Sequence, residues 1–167
     1  GTVFTSKDDL QAAVKSYDPF HITHVGTINY WNVEQVTNVS SLGFDINFGD
    51  IETAGWNYDP YNISHVGTIN CWNVEQLTDM SNLFIYSGLN EVIHCWNVSQ
   101  VTNMTTMFRG ASSFNQPLDQ WNTSQVSFLY GMFANASSFN QSLNTWNISE
   151  VTKMFGMFWD ASSFNQP

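Results

Sequence analysis

Trp96-Asn97-Val98-Ser99-Gln100-Val101-Thr102 returns as Trp121-Asn122-Thr123-Ser124-Gln125-Val126-Ser127. It returns again as Trp146-Asn147-Ile148-Ser149-Glu150-Val151-Thr152. A fixed period of 20 to 50 residues marks a repeat architecture, in which one unit cannot bury its own apolar face and must stack on its neighbours. Working outward, the column Trp residues are Trp31, Trp56, Trp72, Trp96, Trp121 and Trp146, with steps of 25, 16, 24, 25 and 25. One step is short. A second period of 41 residues explains it: Tyr17-Asp18-Pro19-Phe20 and His24 to Gln35 recur as Tyr58-Asp59-Pro60-Tyr61 and His65 to Gln76. The chain therefore divides into an N-terminal segment 1–19, irregular repeats over 20–95 and regular repeats over 96–167.

Apolar positions fall into columns. Val36, Leu77, Val101, Val126 and Val151 follow the Trp by five residues, and Val39, Met80, Met104, Leu129 and Met154 by eight. Phe84, Phe108, Phe133 and Phe158 form another column, and Phe114, Phe139 and Phe164 a third. Such columns predict core ladders, with copies about 4.8 Å apart if the units pair as parallel strands. Asn115, Asn140 and Asn165 predict a side-chain ladder bonding the backbone of its own turn. The Val-Thr-x-Met stretch is where a short parallel strand is expected, and Met-Phe-x-x-Ala-Ser-Ser reads as a helical or 3₁₀ turn. Before the repeats, Ser6 is a helix N-cap, with Asp8 and Asp9 in the positive first turn. Leu10, Ala13, Val14 and Tyr17 continue at helical spacing. This predicts a capping helix over one end of the stack.

Composition bounds the function. The 167 residues are 43% hydrophobic, 16% aromatic and only 11% charged, with a net charge of −10. The basic residues are Lys7, Lys15, Arg109 and Lys153 alone, so the phosphate-neutralising cluster that nucleic acid requires is missing. The same scarcity disfavours an anionic membrane surface, and no apolar run approaches the roughly 20 residues of a spanning helix. The start at Gly1 reads as a processed or trimmed end. Ala161 to Pro167 repeats Ala111 to Pro117, where the chain runs on to the next Trp, so the last unit reads as incomplete.

The repeated text, Trp-Asn-Val-Ser-x-Val-Thr-x-Met followed by Met-Phe-x-x-Ala-Ser-Ser-Phe-Asn-Gln-Pro-Leu, resembles the BspA-like surface-protein repeat, a relative of the leucine-rich repeats. The likeness covers residues 20 to 167 and departs from the pattern in the 16-residue step before Trp72 and over 43–55, where Gly43 stands for the expected Phe. It implies a right-handed leucine-rich-repeat-like solenoid with short parallel strands, extracellular or on the cell surface, used for adhesion or structure. It implies no catalytic residue.

Residue chemistry agrees with a non-enzymatic reading. No Ser, His and acid set or convergent carboxylate pair stands apart from repeat filler. His24 and His65 are repeat equivalents and His94 precedes Cys95, without converging metal ligands. The acidic residues Asp45, Asp50, Glu52 and Asp59 have no recognised calcium spacing. No metal or cofactor is expected. A single Thr column (Thr37, Thr78, Thr102, Ser127, Thr152) falls short of the paired array that would match a flat lattice. Eight Asn-x-Ser/Thr sequons occur. Asn97, Asn122 and Asn147 share a column with Asn32 and Asn73, which lack the sequon, and read as buried structural residues; Asn38, Asn62, Asn103 and Asn135 are the positions for N-glycans.

Cys71 and Cys95 each precede a column Trp. Neighbouring strands bring equivalent Cα atoms to about 5 Å, inside disulfide range, and a bridge would close about 25 residues and contribute on the order of 3 kcal/mol. The alternative is two thiols in a variable column that also holds Tyr30, Gln120 and Thr145. Two functions of different class follow. One is a structural protein that stacks end to end into a surface filament, with Trp159 and Phe164 at the contact. The other is an adhesin fragment that recognises an extracellular protein or glycan through the face bearing Phe128 and Lys153. Non-reducing mass spectrometry should find the chain two hydrogens lighter than its reduced form; two free thiols would count against an oxidising compartment.

Overall fold

The computed structural model describes residues 6–9, 12 and 74–167. The column residues Trp31, Trp56 and Trp72, the thiol of Cys71, and Asn38 and Asn62 lie outside these residues. So do the short repeat step and the acidic residues 45–59. Residues 7–9 and 12 are helical. Ser6 Oγ accepts from the Asp9 backbone N–H at 3.1 Å, so the N-cap sits where its residue type predicts.

From Val74 onward the chain falls into units 74–97, 98–122, 123–147 and 148–167, which lie against one another in register. Parallel bridges link Asp79 to Asn103, Asn103 to Phe128, and Phe128 to Lys153. The expected strand at Val-Thr-x-Met is one bridge long, because the backbone turns on both sides of it. Val101 N–H bonds Val98 C=O at 2.9 Å just before, and Met107 N–H bonds Met104 C=O at 3.2 Å just after.

The following stretch replaces a strand with alternating turns. Met104, Thr106, Phe108 and Gly110 donate their N–H groups to Phe128, Tyr130, Met132 and Ala134 of the next unit. Met107, Arg109 and Ala111 instead donate three residues back, inside their own turns. Meanwhile the carbonyls of Asn103, Thr105, Met107 and Arg109 accept from the preceding unit. Alternate peptide groups thus run along the stack and across the chain, and these buried backbone groups are satisfied without an extended strand. The same pattern joins 74–97 to 98–122, 98–122 to 123–147, and 123–147 to 148–167.

This zigzag puts two residues per unit in the left-handed region. One column is Asn82, Thr106, Gly131 and Gly156, and the other is Tyr86, Gly110, Asn135 and Asp160. Gly, Asn and Asp tolerate that backbone best, which accounts for most of the residue types. Thr106, a β-branched exception, is held by its hydroxyl, which bonds Asn82 Oδ1 and the Thr105 carbonyl. At Gly110 glycine has a second reason to be there: a Cβ would come within 2.2 Å of the Tyr86 ring.

Inside the stack the described members of the columns meet. Phe84, Phe108, Phe133 and Phe158 stack at centroid distances of 5.4, 5.5 and 5.7 Å. Phe114, Phe139 and Phe164 stack at 6.0 Å per step. The two columns pack face to face at 4.1, 4.0 and 3.9 Å. Trp96, Trp121 and Trp146 are buried, and Trp121 lies over Trp146 at 6.3 Å, 9° from parallel. Their indoles tie units together: Trp121 Nε1 donates to Ile93 C=O and Trp146 Nε1 to Leu118 C=O.

The Asn ladder differs from expectation in its partner. Asn90 Oδ1 accepts from Asn115 N–H, Asn115 Oδ1 from Asn140 N–H, and Asn140 Oδ1 from Asn165 N–H, each at 2.9 Å. Each amide therefore bonds the next unit rather than its own turn. Gln116, Gln141 and Gln166 clamp the same oxygens from the side. Met154 also departs from its column: it is 39% exposed, whereas Met80, Met104 and Leu129 are buried.

Phe133→Ala should cost about 3–5 kcal/mol in urea unfolding, as a large core truncation. Asn115→Ala, which removes a half-buried acceptor, should cost about 1 kcal/mol. Burial pushes the Glu91 carboxyl above the usual glutamate range. Folding therefore favours its protonated form, and stability falls as pH rises through that raised value. Glu91→Gln should raise the urea midpoint near neutral pH and leave it almost unchanged in acid, where the native residue is already neutral.

Candidate assembly surface

Each junction between the described units is built from the same set of groups. In each earlier unit four alternate N–H groups reach the next one; in 123–147 they belong to Leu129, Gly131, Phe133 and Asn135. Their equivalents in 148–167 are Met154, Gly156, Phe158 and Asp160, whose N–H groups make no backbone hydrogen bond among the described residues. The Thr152 carbonyl corresponds to that of Ser127, which accepts from both Thr152 and Lys153. Asn165 Oδ1 corresponds to Asn140 Oδ1, the acceptor in the side-chain ladder. The face thus repeats the hydrogen-bonding edge of every internal junction.

Its apolar part is also that of an internal junction. Phe158 and Phe164 are half-buried, each covered on one side by Phe133 or Phe139. Met154, Phe155 and Trp159 are exposed, Phe155 to 71% and Trp159 to 58%. Of the two residues expected at a contact, Trp159 is an outward-facing aromatic and Phe164 is the last ring of an internal ladder. Sequence columns did not single out Phe155, because its equivalents are Thr105 and Tyr130. An aromatic stack, Tyr130 over Phe155 at 6.2 Å, is the signal.

Elsewhere the expected sites are used within the stack. Phe128 and Lys153 sit at the parallel bridges, where Lys153 Nζ lies 5.2 Å from the Phe128 ring centroid, a weak cation–π contact at an exposed site. Thr102 and Thr152 donate their hydroxyls to the carbonyls of Thr78 and Ser127. That column ties units together instead of presenting a lattice to solvent.

Asn103 is half-buried, with Oδ1 accepting from Thr105 N–H at 3.0 Å. Asn135 is exposed, at φ 59°. Asn97, Asn122 and Asn147 are structural, as expected, each accepting from the backbone N–H two residues on. They are nevertheless exposed, not buried, since an Asx turn needs only the side chain's own backbone. Cys95 is exposed, and its expected partner lies outside the described residues. Among the described residues no group of His, Cys, Asp and Glu could hold a metal ion, and no helix is long and apolar enough to cross a membrane.

Residues 57–167 match a family model described as "Mycoplasma protein of unknown function, DUF285". No curated protein and no solved structure matches the chain. The matched span takes in all four described units, and on that match the chain belongs to the DUF285 family.

Proposed function

We infer that this chain is a non-enzymatic, extracellular structural protein of BspA-like repeats, a right-handed leucine-rich-repeat-like solenoid whose copies join end to end into a surface filament. The observation that carries this reading is the single register repeated at each junction between described units, where four alternate N–H groups meet four carbonyls of the neighbouring unit. Another copy of the same repeat carries this pattern of N–H and carbonyl groups, so an uncovered edge of one copy matches an uncovered edge of the next in the same register.

Such a contact is head to tail, so it propagates instead of closing on itself. Exposed Phe155 and Trp159 add apolar area at the rim of the joint.

Sedimentation and electron microscopy at micromolar concentration should show polymers that Trp159→Ser shortens or dissolves. Clean monomers up to about 100 μM would overturn self-assembly and favour the adhesin reading, in which the bridge column of Phe128 and Lys153 faces a ligand.

A further inference from the structure

The Asn that follows each described column Trp opens an Asn-x-Ser sequon: Asn97-Val98-Ser99, Asn122-Thr123-Ser124 and Asn147-Ile148-Ser149. A constant column reads as buried in the sequence, yet all three asparagines are exposed. Asn122 is exposed although its unit has neighbours on both sides, so the column opens to the side of the stack and not onto a junction.

The local turn leaves the reactive atoms free. Oδ1 of Asn97, Asn122 and Asn147 accepts from the backbone N–H of Ser99, Ser124 and Ser149 at 3.2, 3.1 and 3.0 Å. Each carboxamide is held by its oxygen, while its Nδ2 makes no hydrogen bond among the described residues. The three Ser hydroxyls that complete the sequons are equally uncommitted there. Other described sequons lack this combination. Asn103 is half-buried in the bridge column, between Asp79 and Phe128. Asn140 is half-buried, and its Oδ1 accepts from both Asn165 N–H and Gln166 Nε2. Asn135 is exposed, but the hydroxyl of its sequon, Ser137 Oγ, donates to Ser112 C=O at 3.3 Å.

We propose that Asn97, Asn122 and Asn147 carry N-linked glycans, one sugar chain per unit in a row down one edge of the stack. In the transfer, Nδ2 bonds to the anomeric carbon of a saccharide carried on a lipid pyrophosphate. The bond from that carbon to the pyrophosphate oxygen breaks, the lipid pyrophosphate leaves with the electron pair, and an Nδ2 proton passes to a base of the transferase. The fold then selects which modified chains can close. A glycan is bulky and hydrated, and at Asn103 or Asn140 it would be pressed, stripped of water, into a bridge or the amide ladder. At the three exposed positions it costs no bond, since Oδ1 keeps its turn. Only 11% of the residues are charged, so sugars along an edge add the hydration that charge supplies on other surfaces. Attachment rests on the extracellular reading above, because the transfer takes place on the outer or lumenal side of a membrane.

The test is a glycosylation map of the chain sent through a eukaryotic secretory host. The secreted, folded protein is treated with peptide-N-glycosidase in heavy-oxygen water, which converts each glycosylated Asn to a labelled Asp for peptide mass spectrometry. Asn97, Asn122 and Asn147 should be labelled, and Asn103 and Asn140 should not. Ser99→Ala, Ser124→Ala and Ser149→Ala should each remove the mass of one glycan. Their urea midpoints as bare protein should stay unchanged, because the turn uses only the Asn side chain and a backbone N–H. Three unlabelled asparagines overturn the proposal, as does equal labelling of Asn103 or Asn140. The same map on protein from its own cells, with surface biotinylation, separates the two readings. A surface protein bare at all three positions overturns glycosylation alone, and an intracellular chain overturns both.

Discussion

Everything in the described stack depends on alternate peptide groups pointing along it. Between Asn103 and Ala111, every second N–H leaves its unit for the next, and every second carbonyl receives from the one before. A strand would achieve the same pairing, but it would run on in one direction. Here the interleaved i to i−3 bonds bend the chain continuously, so a 25-residue unit comes back to its own start without losing backbone pairing. The cost is a pair of left-handed residues per unit, met by Gly, Asn and Asp in most copies and by side-chain bonding at Thr106.

With the backbone pinned at this spacing, the side chains follow. Equivalent residues sit one above the other, so Phe packs on Phe and Trp on Trp, each at about 5.4 to 6.3 Å. Polar residues obey the same rule. An Asn at one level accepts from the backbone of the Asn above it, and Gln completes the oxygen's second lone pair. One register therefore serves both the apolar interior and the polar edge. A slip would break rings and amides together, which gives the stack a single favourable arrangement.

The same logic locates the reactive surface of the molecule. A stack of satisfied units has little chemistry along its bridges, where even the Thr hydroxyls are engaged between units. What faces solvent beside the stack is the aromatic set Tyr130, Phe155 and Trp159.

Column identity alone was enough to read the period, the Phe ladders and the burial of Trp96, Trp121 and Trp146, because each depends on one residue type recurring in one place. Register, once known, makes those positions interior by arithmetic. It was not enough for features that mix residue types within a column. Asn82, Thr106, Gly131 and Gly156 share a backbone angle and nothing else. The shrinkage of the expected strand to one bridge, and the reach of each Asn amide to its neighbour instead of its own turn, are likewise tertiary facts. They follow from where the backbone bends, and that is decided by competition between turn bonds and inter-unit bonds for the same peptide groups.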